Sequence, residues 1–393
     1  MKIVFISNWI TPHQIPFCER MYQICGDGFR FLETMPENAD LPIGWQASNK
    51  AYPWAIDYDS FHNDRQQVEK RIMDADVVFI GSAPDTLIVP RLKKRKLTFK
   101  YSERFYKTGI GFRNFLHILA GAWLHHGRFQ KYPLYMLCSS AYTAADCSVF
   151  HLYKNRCYRF GYFPPLRRYA AVEDFLAKKN PNLMVWVGRL IDWKHPEVPI
   201  EVAKRLKCEN VPFHLEIIGS GDMLSELEAK VEDLGLCENV SLLGGMTPDE
   251  VRSRMETAGI FLFTSDFQEG WGAVANEAMN SGCAIVASHA IGSVPFLIQN
   301  GENGFLYKNG DIEDIYSKTK YLLETPVAQR DMGAKAICMI ETLWNADVAA
   351  DRLVCLSKEI LAGNESPNLY EDGPCSRATI LKNDWFEEED KKI

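Results

Sequence analysis

The 393-residue chain is long enough for two or three domains at about 150 residues each, and its apolar and charged fractions, 47% and 24%, are those of an ordinary soluble globular protein. It contains no run of about 18 apolar residues, which excludes a membrane-crossing helix, and nothing in its patterning calls for a nucleic-acid partner. The net charge of −7 is uneven: residues 1–165 carry 21 Lys/Arg against 14 Asp/Glu, or +7, which leaves −14 for the remainder and points to an anionic surface met by the first half alone.

The first seven residues are too short for a signal peptide and its cleavage site, and residues 2–7 read as a first strand. The loop 8–16 carries Trp9, two prolines and His13 ahead of a helix near residues 17–24. A loop after the first strand of an open α/β sheet faces the crevice where ligands bind, so His13 is either a ligand contact or a solvent-exposed side chain. Residues 35–62, rich in Pro, Asn, Asp and aromatics, read as a long irregular connection. Asp57-Tyr58-Asp59 and Asp74-Ala75-Asp76 both match an Asp-x-Asp metal pattern, but such triplets arise freely in acidic sequence, and they are read as non-metal. Strands follow at 77–80 and 97–102. The second ends in Glu103-Arg104, either a plain ion pair or a ligand-facing carboxylate with its pKa set by the guanidinium. Residues 91–131 hold 11 basic side chains and one acidic one, Glu103. Within them the aromatic segment 111–131, with Phe112, Phe115 and Trp123, can lie apolar side down on an anionic membrane, or form a core helix with a basic outer face. The adjoining run of Arg91, Lys93, Lys94, Arg95 and Lys96 favours the membrane. A strand at 134–138, a helix at 142–150 and a last strand from 159 complete the half, and 164–181 form a linker.

The second half opens with a strand at 183–187 that runs into Gly188-Arg189 and, five residues on, Lys194. Gly188 lets the backbone turn away from the sheet, while Arg189 offers a planar fork suited to phosphate oxygens. A strand at 213–218 leads to Gly219-Ser220-Gly221. This lacks the third glycine and later acid of a dinucleotide fingerprint, so a turn before the helix 223–234 suffices. A strand at 240–243, the turn through Met246 and an N-capped helix at Thr247-Pro248 follow. Residues 260–288 then read strand, glycine loop, helix and strand, with Glu269 in the loop and Glu277 in the helix, about two turns or roughly 10 Å along the axis. Helices are expected at 311–323 and 349–361. The 11 cysteines form no Cys-x-x-Cys pair or His/Cys cluster and are read as reduced, mostly buried cytosolic thiols. Trp385-Phe386 and the acids of 387–390 form either a docked tail or a mobile acidic end.

Ser265-Asp266, Glu269-Gly270-Trp271-Gly272, Glu277-Ala278-Met279, Gly282 and Asn300-Gly301-Glu302-Asn303-Gly304 resemble the donor-site signature of the family 4 retaining glycosyltransferases, the group 1 glycosyl transferases of surface-polysaccharide type. The likeness is close over 182–361 and holds in outline before that. It implies an α/β, GT-B fold: two Rossmann-like domains whose parallel sheets face across a cleft. An acceptor-binding domain would span 1–165, a donor-binding domain 166–362, and an acidic tail 363–393. The implied reaction is a metal-independent, retaining transfer of a hexose from a UDP- or GDP-sugar, with no cofactor beyond that co-substrate. The acceptor would be a saccharide or a lipid-linked saccharide, met in the cytoplasm or on the cytoplasmic membrane face through the basic half.

By the same resemblance, Gly188, Arg189 and Lys194 would hold the donor diphosphate, Glu269 the hexose hydroxyls and Glu277 the ribose. Gly270, Trp271, Gly272, Ala273 and Val274 would line the donor, with Gly219 and Met246 on neighbouring turns. His13, Glu103 and Arg104 would face the acceptor, Glu103 standing where many relatives place a histidine. Chemistry would then rest on Glu269, Arg189, Lys194 and Glu103. A nucleotide-sugar epimerase or hydrolase and a non-catalytic sugar-nucleotide-binding subunit are the alternatives.

Overall fold

A computed structural model describes residues 1–36, 52–111 and 114–390, the side chains of 388–390 excepted. Two compact units emerge: Met1–Pro165 with Asn345–Lys382, and Leu166–Trp344 with Asn383–Ile393.

The first unit is built on short runs that are apolar along their whole length, such as Val77–Ile80, which is buried on both faces. That is the signature of parallel strands covered by helices. Its elements are β1 (Ile3–Ser7), α1 (Ile15–Cys25), β2 (Phe29–Glu33), β3 (Ala55–Ile56), α2 (Tyr58–Asn63), α3 (Arg65–Asp74) and β4 (Val77–Ile80). They continue with α4 (Val89–Lys93), β5 (Thr98–Ser102), α5 (Phe115–His125), β6 (Leu134–Cys138), α6 (Thr143–Val149) and β7 (Cys157–Arg159). The sheet runs β3-β2-β1-β4-β5-β6-β7, parallel throughout. The expected irregular connection at 35–62 therefore contains a strand and a helix; 37–51 and Phe112 lie outside the described residues. Arg91 is a correction. It is fully buried, and its guanidinium donates to the carbonyls of Ile72, Ala75, Asp76 and Leu97 at 2.6–2.9 Å, so it belongs to the core and not to a basic surface. Burial pushes its pKa down to about 10.

The second unit contains α7 (Val172–Ala177), β8 (Asn180–Val187), α8 (Val198–Cys208), β9 (His214–Ile218), α9 (Leu224–Asp233), β10 (Val240–Gly244) and α10 (Pro248–Thr257). After these come β11 (Ala258–Phe263), α11 (Val274–Asn280), β12 (Ala284–Ser288), α12 (Val294–Leu297), β13 (Phe305–Tyr307), α13 (Ile312–Glu324) and α14 (Pro326–Thr342). The parallel order is β10-β9-β8-β11-β12-β13, which puts β11 at the middle of the sheet with the expected strand, loop, helix and strand around it. Thr247 and Glu250 close a reciprocal capping box at the start of α10.

The last 49 residues divide between the units. Helix α15 (Ala346–Leu361) packs on α1, and Arg20 binds Asp351 at 3.0 Å. Residues beyond it run along the edge strand β7: Cys375 N donates to Arg159 O at 2.7 Å, Arg159 N to Ser376 O at 2.8 Å, and Ala378 N to Cys157 O at 3.1 Å. The expected boundary at 362/363 is thus corrected, because helical periodicity reports a buried face but not which sheet covers it. The redrawn first unit carries 25 Lys/Arg and 20 Asp/Glu, or +5, and the second 19 and 31, or −12. The chain then returns as α16 (Trp385–Asp390), where Phe386 is buried and stacks on His289 with ring centroids 5.0 Å apart, and Glu387 pairs with Lys308 at 2.8 Å. The end is docked by its aromatics. Of the cysteines, all free, five are buried and four exposed, fewer in the core than composition suggests.

Candidate functional site

In the second unit the loops after β8, β11 and β12 leave the carboxyl ends of adjacent strands, where open α/β sheets bind ligands. Gly188 N donates to Ile218 O and Leu190 N to Ser220 O, tying the loop after β8 to the one after β9. A Cβ on Gly219 would lie 1.8 Å from Gly188 O, so this glycine serves the crossing of two backbones. Arg189 points out from the loop. Its guanidinium lies 5.7 Å from the Trp193 ring centroid and meets no acceptor among the described residues. Lys194 does not stand free: its ammonium pairs with Glu269 Oε2, both side chains being almost buried. Ser265 Oγ donates to the same oxygen at 3.0 Å, which leaves Oε1 without a donor among the described residues. Thr264 Oγ lies 2.8 and 2.9 Å from the carbonyls of Lys194 and His195, and Asp266 N donates to Trp193 O at 3.0 Å, so the two loops move as one body. His195, in left-handed conformation, faces Glu197 at 3.0 Å and Asp266 at 3.7 Å; the Glu197 hydrogen bond raises its pKa.

The glycine loop turns at Gly272, where φ is +83° and a Cβ would lie 2.5 Å from the Phe263 ring. Trp271, expected to contact the donor, is 0% exposed: its Nε1 donates to Asn276 Oδ1 at 2.9 Å and its ring packs on Phe296 and Trp344. Only its backbone belongs to the loop; the bulk of an indole needs the core more than the loop does. The N–H groups of Ala273 and Val274 find no acceptor among the described residues. Glu277 lies in the first turn of α11, so its eight-residue spacing from Glu269 is mostly loop and not two helical turns. Its half-buried carboxylate has no hydrogen bond or ion pair among the described residues. Burial raises its pKa, against the opposing pull of Arg252 and Arg167. Those two arginines are held elsewhere, Arg252 by Asn280 and Arg167 by Asp249 and Glu256. Met246 is half-buried in the turn after β10.

In the first unit, Glu103 and Arg104 do not pair. Arg104 is buried on Asp146 at 3.2 Å, with the Tyr142 ring 5.1 Å from its guanidinium. Successive residues leaving a strand point to opposite faces, which sends Arg104 into the core. Glu103 is instead held by Lys107 Nζ at 2.6 Å and by Tyr162 OH at 2.7 Å. Sequence reasoning passed over Tyr162, because nothing in spacing links two loops 59 residues apart. His13 stacks on Tyr162, and burial lowers its pKa to about 4. Of the Asp-x-Asp residues, Asp57 caps α2 through Ser60 N and Asp76 accepts from Lys2 N. Helix α5 leaves Phe115, Leu116, Leu119, Trp123 and Leu124 exposed, Leu116 by 76%, which excludes the core-helix reading. Among the described residues no helix is long and apolar enough to cross a membrane.

Residues 170–338 match the family model of the glycosyl transferases group 1. Over 182 residues the chain is 29% identical to the amylovoran biosynthesis glycosyltransferase AmsK of Erwinia amylovora, a match spanning 45% of this chain and 44% of that relative. The chain thus spans less than half the length of this curated relative. In fold it is similar to Anabaena Alr3699/HepE in complex with UDP and glucose, with TM-score 0.63 at 13% identity, covering 92% of this chain and 100% of that one. A glycosyltransferase from Rickettsia africae superposes with TM-score 0.65 at 13% identity over 92% and 99%.

Proposed function

On the premise that residues 170–338 match the group 1 glycosyl transferases and that the fold is that of GT-B glycosyltransferases, we propose a retaining hexosyltransferase. It moves a hexose from a nucleoside diphosphate sugar to a saccharide or lipid-linked saccharide, in polysaccharide or glycolipid synthesis. The observation that carries this reading is Glu277. A half-buried carboxylate with no partner among the described residues, one turn into a helix whose first N–H groups find no acceptor among them either, suits a ligand that brings hydroxyls beside an anion. A ribose diphosphate is such a ligand; the Anabaena neighbour was solved with UDP and glucose.

In this reading the ribose hydroxyls donate to Glu277, the Arg189 fork takes phosphate oxygens, and a hexose hydroxyl donates to Glu269 Oε1. Lys194 sits on Glu269 and thereby next to the bond that breaks. Departure of the diphosphate leaves an oxocarbenium-like sugar, and Arg189 with Lys194 meets the growing negative charge without a metal.

The enzyme would work in the cytoplasm at an anionic membrane face. The apolar side of α5 would enter the lipid, and the exposed Lys93, Lys94 and Arg95 at the end of α4 would add attraction to anionic headgroups.

The test is binding of UDP- and GDP-sugars, followed by donor consumption with and without a lipid-linked acceptor. Acceptor-dependent consumption with retention supports transfer. Consumption indifferent to acceptor identifies a hydrolase or epimerase, and binding without consumption a regulatory subunit.

A further inference from the structure

In the second unit the loop after β8 and the loop after β11 meet on one imidazole. His195 Nδ1 lies 3.0 Å from Glu197 Oε1 and Nε2 lies 3.7 Å from Asp266 Oδ2, so a carboxylate faces each ring nitrogen. The backbone beneath the ring is pinned as well: His195 N donates to Asp192 O at 3.0 Å, and Thr264 Oγ lies 2.9 Å from His195 O. An ionised carboxylate can only accept, and a neutral imidazole has one N–H to give, so a neutral ring turns a lone pair toward one of the two acids. The imidazolium, with two N–H groups, satisfies both. Glu197 Oε2 is buried and has no hydrogen-bond partner among the described residues, which leaves the ring to offset that carboxylate. Glu197 from the start of α8 and Asp266 from the loop after β11 are the charged groups that face His195 among the described residues; the neighbouring Lys194 turns to Glu269, and Asp192 is exposed.

We infer that His195 is a positioning residue of the donor site, an imidazolium that clasps the loop carrying Arg189 and Lys194 to the loop carrying Glu269, and that nucleotide binding weakens when this ring loses its proton. This rests on the transferase reading above. The clasp reaches Glu269 by a short path. Asp266 Oδ1 accepts from Gln268 N at 2.8 Å and Asp266 O from Glu269 N at 3.1 Å, so the acid that the ring holds also shapes the turn on which Glu269 stands. The ring sets the local charge too. Residues 188–197 and 264–273 carry Arg189 and Lys194 against Asp192, Glu197, Asp266 and Glu269, a net −2 with a neutral ring and −1 with a charged one. A diphosphate is itself anionic and binds the second state more readily. The Glu197 hydrogen bond raises the His195 pKa against the opposing effect of burial, which puts loss of the proton above the ordinary histidine value of about 6.5.

The experiment uses the full chain and two readouts. Calorimetry with UDP and GDP from about pH 5.5 to 9 compares the parent with His195→Asn, a neutral residue that tolerates the left-handed backbone at this position, where φ is +51°. The ratio of the two affinities cancels titration of the nucleotide phosphates. It should favour the parent by about tenfold at low pH, the scale of one charge acting in a partly buried site, and fall toward one as pH rises through the His195 transition. Glu197→Gln should move that midpoint to lower pH, a shift that a merely structural defect would not produce. Proton NMR of the imidazole resonances reads the midpoint directly, the His195 signal being the one absent from His195→Asn. The parent's midpoint should lie above about 6.5 and drop in Glu197→Gln. A ratio that is flat with pH, a midpoint at or below the ordinary value, or a Glu197→Gln variant that titrates as the parent does would each overturn the inference. Absence of UDP and GDP binding at every pH would overturn the donor reading, and the imidazole resonance would still decide whether the clasp exists.

Discussion

Glu277→Gln should damage nucleotide binding and stabilise the empty protein at once. The carboxylate is half-buried, has no hydrogen-bond partner among the described residues, and is pushed upward in pKa by desolvation, with Arg252 and Arg167 too occupied to offset it fully. A raised carboxyl pKa means the folded state is disfavoured once the group ionises. Stability is whole below the ordinary glutamate range and declines as pH rises to the folded pKa. The Gln variant escapes that decline, so its advantage should be absent at low pH, grow through the titration, and level off at about 1 kcal/mol above it, the scale of one unsatisfied polar group. Binding runs the other way. Gln keeps one acceptor oxygen and no charge, so roughly one charge-assisted hydrogen bond to ribose is lost, about 1.5–3 kcal/mol or 10- to 150-fold in Kd for both donor and free nucleoside diphosphate. Calorimetry with UDP and GDP and urea unfolding from pH 4.5 to 8.5 measure both. Parent-like nucleotide affinity, or an empty variant less stable than the parent at pH 8, would refute the assignment of Glu277 as a carboxylate awaiting a ligand.

The Lys194–Glu269 pair is largely buried, so Lys194→Met should cost about 3–5 kcal/mol of stability by leaving the carboxylate uncompensated, and adding Glu269→Gln should recover much of it without restoring turnover; full additivity in a double-mutant cycle would contradict the pairing. Arg189→Ala should lower kcat more than it raises KM, by about 2–4 kcal/mol, and EDTA should leave the parent's rate unchanged, whereas strict Mn²⁺ or Mg²⁺ dependence would count against the metal-free mechanism. Leu116→Glu with Trp123→Glu should reduce sedimentation with anionic vesicles by at least 100-fold, because each side chain offers about 1.5–3 kcal/mol of burial, and Lys93→Glu with Lys94→Glu should act only at low salt. Equal sedimentation with neutral and anionic lipid, or with neither, decides for an enzyme working in solution. Phe386→Ala should release α16 at a cost of about 2–3 kcal/mol, accelerating tryptic cleavage after Lys382 by roughly 30- to 150-fold; an unchanged rate would mean that the stack on His289 does not hold the tail.

Strands were the most legible part of the sequence, because a run such as Ile260–Phe263 can be nothing but a buried strand once glycines and a helix follow it. The loop at Glu269 to Gly272 was legible for the same reason: a left-handed turn against an aromatic ring admits only glycine. What stayed hidden depends on partners distant in sequence. Arg91 looks like its four basic neighbours and differs in having four carbonyls and one hydroxyl around it, from Ile72, Ala75, Asp76, Leu97 and Thr98. Glu103 and Arg104 look like a pair, yet the backbone sends them to opposite sides and each finds its partner in another element. Trp271 sits inside a ligand-binding motif while its indole fills the core. Adjacency in sequence predicts local geometry well and long-range pairing poorly.

The return of residues 345–382 to the first unit has a consequence for the order in which the protein is made. Synthesis runs from the N-terminus and domains generally close as they emerge. Here the first unit cannot do so, because α15, which covers α1, and the segment that covers the edge of β7 leave the ribosome only after the whole sheet of the second unit. Until then a buried-to-be helix face and an open strand edge stay exposed, the two features most prone to wrong association. A chain stopped after Trp344 would therefore hold a complete second sheet and still carry an unfinished first one. Residues 345–382 are what close the first half.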